Sequence, residues 1–149
     1  MHKKEEKKEE SIEIIETEEE LQNLTIKNTP TFNFKNEIHY CKVLSCYDGD
    51  TIRCAFKHGE KYIQYSIRML GYNCCEIRSK DETEKDKAIQ ARDFIREKIL
   101  GKNIYLVCGK FGKYGRILGT VYMNKEDIYT EQSINKLMVD TGYGVPINY

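Results

Sequence analysis

The sequence predicts an α+β domain: a five-stranded β-barrel with two helices, preceded by a charged, flexible N-terminal tail. Three observations predict it. Strand-like runs separated by turn residues begin at residue 39, two later segments switch to the helical period, and residues 1–20 carry many charges and few apolar side chains.

The tail comes first. Residues 1–20 hold nine acids against four lysines, so this segment is −5 and the remaining 129 residues are +5, although the whole chain is neutral. Lys/Glu pairs four apart support a helix, but too few apolar residues are present to hold one on a core. Residues 1–36 are therefore expected as a mobile tail, with room for a docked segment around Thr31–Phe34, and 37–149 as the folded domain. A body of +5 permits a polyanionic partner without requiring one.

From His39 the pattern becomes β-rich. His39–Tyr47 (HYCKVLSCY) and Thr51–Phe56 (TIRCAF) bracket the tripeptide Asp48-Gly49-Asp50, and Lys57–Glu60 reads as a hairpin turn before a third strand over Lys61–Leu70. Residues 83–100 then take the helical period. Ala88, Ala91, Ile95 and Ile99 fall on one face, acids crowd the first turn where they suit the helix dipole, and Gly101 is a natural stop. Asn103–Cys108 and Arg116–Met123 read as two more strands. Ile134, Leu137 and Met138 mark a shorter helix that ends at Gly142. Three strands, a helix and two further strands are what a five-stranded OB-fold barrel requires, with the helix plugging one end. A generic α+β sandwich produces a similar string.

Composition excludes several classes. The chain is 40% hydrophobic with eleven Tyr, five Phe and no Trp, which suits one globular domain with a proper core. No run of about 18 apolar residues exists, so no membrane span or membrane partner is expected. The start, MHKKEEKKEE, has no apolar signal core. The six cysteines form no CxxC and do not pair with the three histidines at zinc-finger spacing. Reduced, mostly buried thiols in an intracellular protein are the expectation.

Three clusters bear chemistry. In Cys46–Cys54 (CYDGDTIRC) two carboxylates flank a glycine. Ile52 and Arg53 stand where an EF-hand needs an oxygen ligand and a glycine, so an EF-hand is excluded, and on this stretch alone an acidic turn is the simpler reading. Arg68–Glu76 (RMLGYNCCE) offers an arginine fork for phosphate, a neutral asparagine oxygen and a carboxylate able to take a proton from water. Lys110–Arg116 (KFGKYGR) interleaves basic residues with aromatics and glycines, which by itself is also an ordinary surface-loop composition.

In this order and spacing, the three clusters resemble the staphylococcal-nuclease-like (thermonuclease) family over residues 39–145. Asp48-Gly49-Asp50-Thr51, Arg68 with Glu76 eight residues on, and Lys113-Tyr114-Gly115-Arg116 carry the likeness. The resemblance implies an OB-fold nuclease that hydrolyses phosphodiester bonds of DNA or RNA with Ca²⁺, or with Mg²⁺ or Mn²⁺. It implies Asp50, Asn73 and Cys74 (through its backbone carbonyl) as metal ligands, and Arg68, Glu76 and Arg116 as catalytic residues. Lys113 and Tyr114 take the place of residues that contact a nucleotide phosphate. Two departures stand out: Asn73 replaces an expected Asp, and Cys75 replaces a loop-stiffening proline. The first weakens or shifts metal preference; the second loosens the placement of Glu76. Tyr143 and Tyr149 are candidates for stacking on a base. A catalytically weakened nucleic-acid-binding OB module, or a protein-interaction scaffold, is the alternative to an active enzyme.

Overall fold

The computed structural model describes residues 11–147. The lysine–glutamate run of residues 1–10 and the side chain of Tyr149 lie outside the described residues. The chain divides between Phe32 and Asn33 into two units. In the first, a single-turn helix, α1 (Glu18–Leu21), is opened by a reciprocal cap between Thr17 and Glu20 and buries no residue.

The second unit is built on a closed barrel. Strands β1 (Ile38–Cys46), β2 (Thr51–His58) and β3 (Lys61–Met69) form an antiparallel meander, followed by the two-residue β4 (Tyr72–Asn73). Helix α2 (Glu82–Ile99) leads into β5 (Asn103–Phe111) and β6 (Ile117–Tyr122); α3 (Ile134–Asp140) and the short β7 (Val145–Pro146) complete the order. The barrel runs β1-β2-β3-β6-β5 and closes where β5 pairs with β1. Its one parallel pairing joins β3 to β6 from Ile67↔Ile117 to Met69↔Gly119. This is the predicted five-stranded OB-fold barrel with two principal helices, and closure leaves none of its five strands as a free edge.

Alternation drives the strands inward. Cys41, Val43 and Cys46 of β1, Ile52, Cys54 and Phe56 of β2, and Ile104, Leu106 and Cys108 of β5 are all buried. On α2 the buried residues are Ala88, Ala91, Ile95 and Ile99, the face that the 3.6-residue period marks out. Asp81 caps that helix by accepting hydrogen bonds from the Thr83 and Glu84 amides. Phe34 is buried against Phe56, Tyr65 and Phe111, and the Asn36 amide bonds the Cys108 carbonyl at 2.9 Å. All six cysteines are free thiols. Among the described residues no helix is long and apolar enough to cross a membrane.

Candidate active site

The turn between β1 and β2 is closed by the Tyr47 amide on the Thr51 carbonyl at 3.0 Å. Within it, Asp48 Oδ1 accepts from the Asp50 amide at 3.1 Å, a local turn bond for which Asp is suited. Gly49 is required by a close approach: a Cβ there would lie 2.5 Å from Cys74 Sγ and 2.9 Å from the Ala91 Cβ. The acidic turn is thereby pressed between the loop after β4 and helix α2.

Among the described residues, Asp50 is one of two buried polar or charged residues, 7% exposed. Its Oδ1 accepts from the Thr51 hydroxyl at 3.0 Å, and its Oδ2 from the Cys74 amide at 3.0 Å. Arg68 Nη2 stands 3.3 Å from the same Oδ2 and also donates to Asn73 Oδ1. Arg68 Nη1 donates to the Met69 and Tyr72 carbonyls at 2.8 and 3.0 Å. Both terminal nitrogens of Arg68 are thus engaged, and the guanidinium is the counter-ion of the acidic turn.

Asp48 titrates above the ordinary carboxylate range. Burial, and then the neighbouring Asp50, push its carboxyl up from 3.8 to about 6. Burial, and then Asp50 and Asp48, push the Cys74 thiol up to about 12, so it stays protonated and donates to the Tyr143 carbonyl at 3.4 Å.

Tyr72 ties the pieces together. Its ring is fully buried, and its hydroxyl donates to the Gly49 carbonyl at 2.7 Å. Burial above all raises its pKa, so the phenol remains a donor. The sequence reading ends the third strand at Leu70 and leaves Tyr72 in the segment beyond it. Nothing local reveals that its hydroxyl meets a carbonyl 23 residues upstream.

Six of the sequence-predicted positions share one place. Asp50, Arg68, Asn73, Cys74, Glu76 and Arg116 line a single cleft of about 410 Å³ together with Asp48 and Thr51. The Glu76 side chain is exposed and has no hydrogen-bond or ion-pair partner among the described residues. Arg116 follows a 3₁₀ turn over Lys113–Gly115 in which Tyr114 (φ 64°) and Gly115 (φ 71°) both take left-handed backbone. Its guanidinium lies over the Tyr114 ring at 5.7 Å. Lys113 and Tyr114 are outside this cleft; Lys113 lines the adjoining one with Lys110, Phe111, Arg68 and Arg116. Tyr143 stacks on Phe94 at 4.5 Å and borders a different cleft, with Cys75 and Lys87.

Among the described residues no three His, Cys, Asp or Glu side chains gather as a metal-holding group. Three acids line the cleft, Asp48 and Asp50 of the turn and Glu76 of the loop after β4, with the neutral Asn73 oxygen. These hard oxygens suit Ca²⁺ or Mg²⁺ completed by carbonyl and water, and a cation would offset the Asp50 charge that, after burial, helps to raise the Asp48 carboxyl.

A closed five-stranded barrel whose cleft sets acids against two arginines belongs to the OB-fold proteins of the nuclease or nucleic-acid-binding type. A model of the staphylococcal nuclease homologue family matches residues 66–148, more than half the chain, and the chain belongs to that family. The matched stretch opens inside β3 and takes in Arg68, Asn73, Cys74, Glu76, Lys113, Tyr114 and Arg116, whereas Asp48 and Asp50 precede it. No curated protein matches the chain.

Proposed function

We propose that the chain is a metal-dependent nuclease that hydrolyses phosphodiester bonds of DNA or RNA. One observation supports this above the others: Asp50, Arg68, Glu76 and Arg116, from separate segments, line the same cleft. A module that only binds nucleic acid needs the arginines but has no use for an exposed carboxylate beside them.

A phosphodiester resists water because the attacked group is already anionic. In this reading Asp50, Asn73 through its side-chain oxygen and Cys74 through its carbonyl hold the cation, with Asp48 beside them. When bound, Ca²⁺, or Mg²⁺ or Mn²⁺ in its place, offsets charge growing on the phosphoryl oxygens. Glu76 takes the proton from the attacking water. Arg116 donates to the phosphoryl oxygens, and Arg68 joins it by exchanging its Asp50 and Asn73 partners for phosphate. Lys113 and Tyr114 contact the neighbouring phosphate from the hairpin.

The test is a cleavage assay on single-stranded DNA with Ca²⁺, Mg²⁺, Mn²⁺ or EDTA, using the wild type and Glu76→Gln. The expected result is metal-dependent cleavage that falls about 10²–10⁴-fold in the variant. Binding without cleavage in every metal overturns the proposal in favour of a weakened binding module, a reading that the neutral Asn73, already bonded to Arg68, favours. Neither binding nor cleavage at low salt, where phosphate contacts are strongest, leaves the interaction scaffold.

A further inference from the structure

A strand cut in its middle must leave the cleft in two directions. One is accounted for: the Lys110–Arg116 hairpin borders the central cleft through Arg68 and Arg116. A second cleft, of about 370 Å³, adjoins the central one, sharing Asp48, Thr51 and Arg116 with it and adding Ser45, Tyr47, Ile52, Arg53 and Ser66. None of these added residues has a role in the mechanism above.

Strand register builds this second cleft. Ser45 of β1 pairs with Arg53 of β2, and Arg53 pairs with Ser66 of β3, so the three side chains form a row across the outer face of the barrel. Tyr47 stands just past the end of β1, 54% exposed. Arg53 is exposed too, and its Nη1 reaches only Gln64 Oε1, at 3.4 Å, a contact that an entering phosphate readily replaces. Arginine, two serines and a threonine beside an open aromatic ring are the chemistry of a nucleotide site: phosphate on the guanidinium and hydroxyls, base on the ring. Asp48 is the one acid on its wall, and Arg53 and Arg116 outnumber it.

We infer that the Tyr47/Arg53 cleft is a second nucleotide subsite for single-stranded nucleic acid, adjoining the central cleft across Asp48, Thr51 and Arg116. It rests on the nuclease reading and extends it: Arg53 takes the next phosphate along the strand, and Tyr47 stacks on the base beyond the cut.

The experiment compares cleavage of a dinucleotide with cleavage of a single strand of about ten nucleotides, long enough for such a groove. Wild type, Tyr47→Ala, Arg53→Ala and Arg53→Lys are compared after thermal melts verify that each folds. Tyr47→Ala and Arg53→Ala are each expected to reduce the kcat/KM preference for the long strand about tenfold. Arg53→Lys retains most of that preference, and Arg53→Ala flattens the log–log salt slope of long-strand binding by about 0.7, the loss of one phosphate contact. An unchanged preference and slope, with cleavage intact, overturn the subsite and leave the nuclease reading standing. If the wild type cleaves neither substrate, that reading falls separately, and fluorescence anisotropy on the long strand decides the subsite. Binding about tenfold weaker in both alanine variants supports it; equal binding, or none by the wild type, overturns it.

Discussion

At Asn73 a neutral amide faces the acidic turn, and its oxygen is taken by Arg68 Nη2, which also pairs with Asp50 at 3.3 Å. Asn73→Asp keeps the shape and adds a charge where calcium affinity follows ligand charge. The expected outcome is Ca²⁺ binding about tenfold tighter by isothermal titration calorimetry; an unchanged Kd would place residue 73 outside the coordination shell. At this scale the side-chain types were legible and their partners were not. An arginine, an asparagine and a glutamate within nine residues advertise phosphate and cation chemistry. That Arg68 turns onto Asp50 and Asn73 depends on where the end of β3 meets the acidic turn, which is set by tertiary pairing. The Tyr72 hydroxyl illustrates the same gap, since its acceptor at Gly49 is remote in sequence.

Elements position these side chains, and α3 is the least conspicuous of them. Asn135 is 6% exposed on that helix. Its Nδ2 donates to the Leu70 and Gly119 carbonyls at 2.8 and 3.0 Å, and its Oδ1 accepts from the Val121 amide at 2.9 Å. One side chain therefore satisfies backbone groups of β6 and of the residue following β3, beside the short parallel pairing on which Arg68 is carried. Asn135→Ala removes the side-chain partner of the Leu70 carbonyl and the Val121 amide, while the Gly119 carbonyl keeps the Leu70 amide at 2.9 Å, and is expected to reduce unfolding free energy by about 2–4 kcal/mol in urea titration. A loss below about 0.5 kcal/mol would show that water replaces the clamp. The helical period of Ile134, Leu137 and Met138 was enough to find α3, as Ala88, Ala91, Ile95 and Ile99 were for α2. A signal for the clamp was also present: Asn135 lies three residues before Met138, a polar residue on an apolar stripe.

For the whole molecule, element order was legible because each strand and helix announces itself locally. The closures that make a barrel of them, β1 on β5 and β3 on β6, join residues more than 45 apart and carry no local mark. The cost of gathering acids in the finished cleft also appears only in the assembled protein. Asp48 titrates at about 6 in the folded chain against an ordinary 3.8, with burial the larger cause and Asp50 the next. Because the folded value is raised, the folded state holds this proton more tightly than the unfolded chain does. Its contribution to stability is complete below about pH 4 and is lost as pH rises through about 6. Asp48→Asn keeps an Oδ1 acceptor for the Asp50 amide but carries no charge, so it escapes the loss. In EDTA at about pH 7.5 the variant is expected to melt about 2–4 °C above the wild type, and the gap should close towards pH 4. Saturating Ca²⁺ should also narrow the gap at the higher pH, because a cation offsets the repulsion between Asp48 and Asp50 that the variant removes. Equal melting temperatures across the whole pH range would mean that Asp48 ionises in the folded protein as easily as in the unfolded one, and the turn would then hold its two carboxylates without strain.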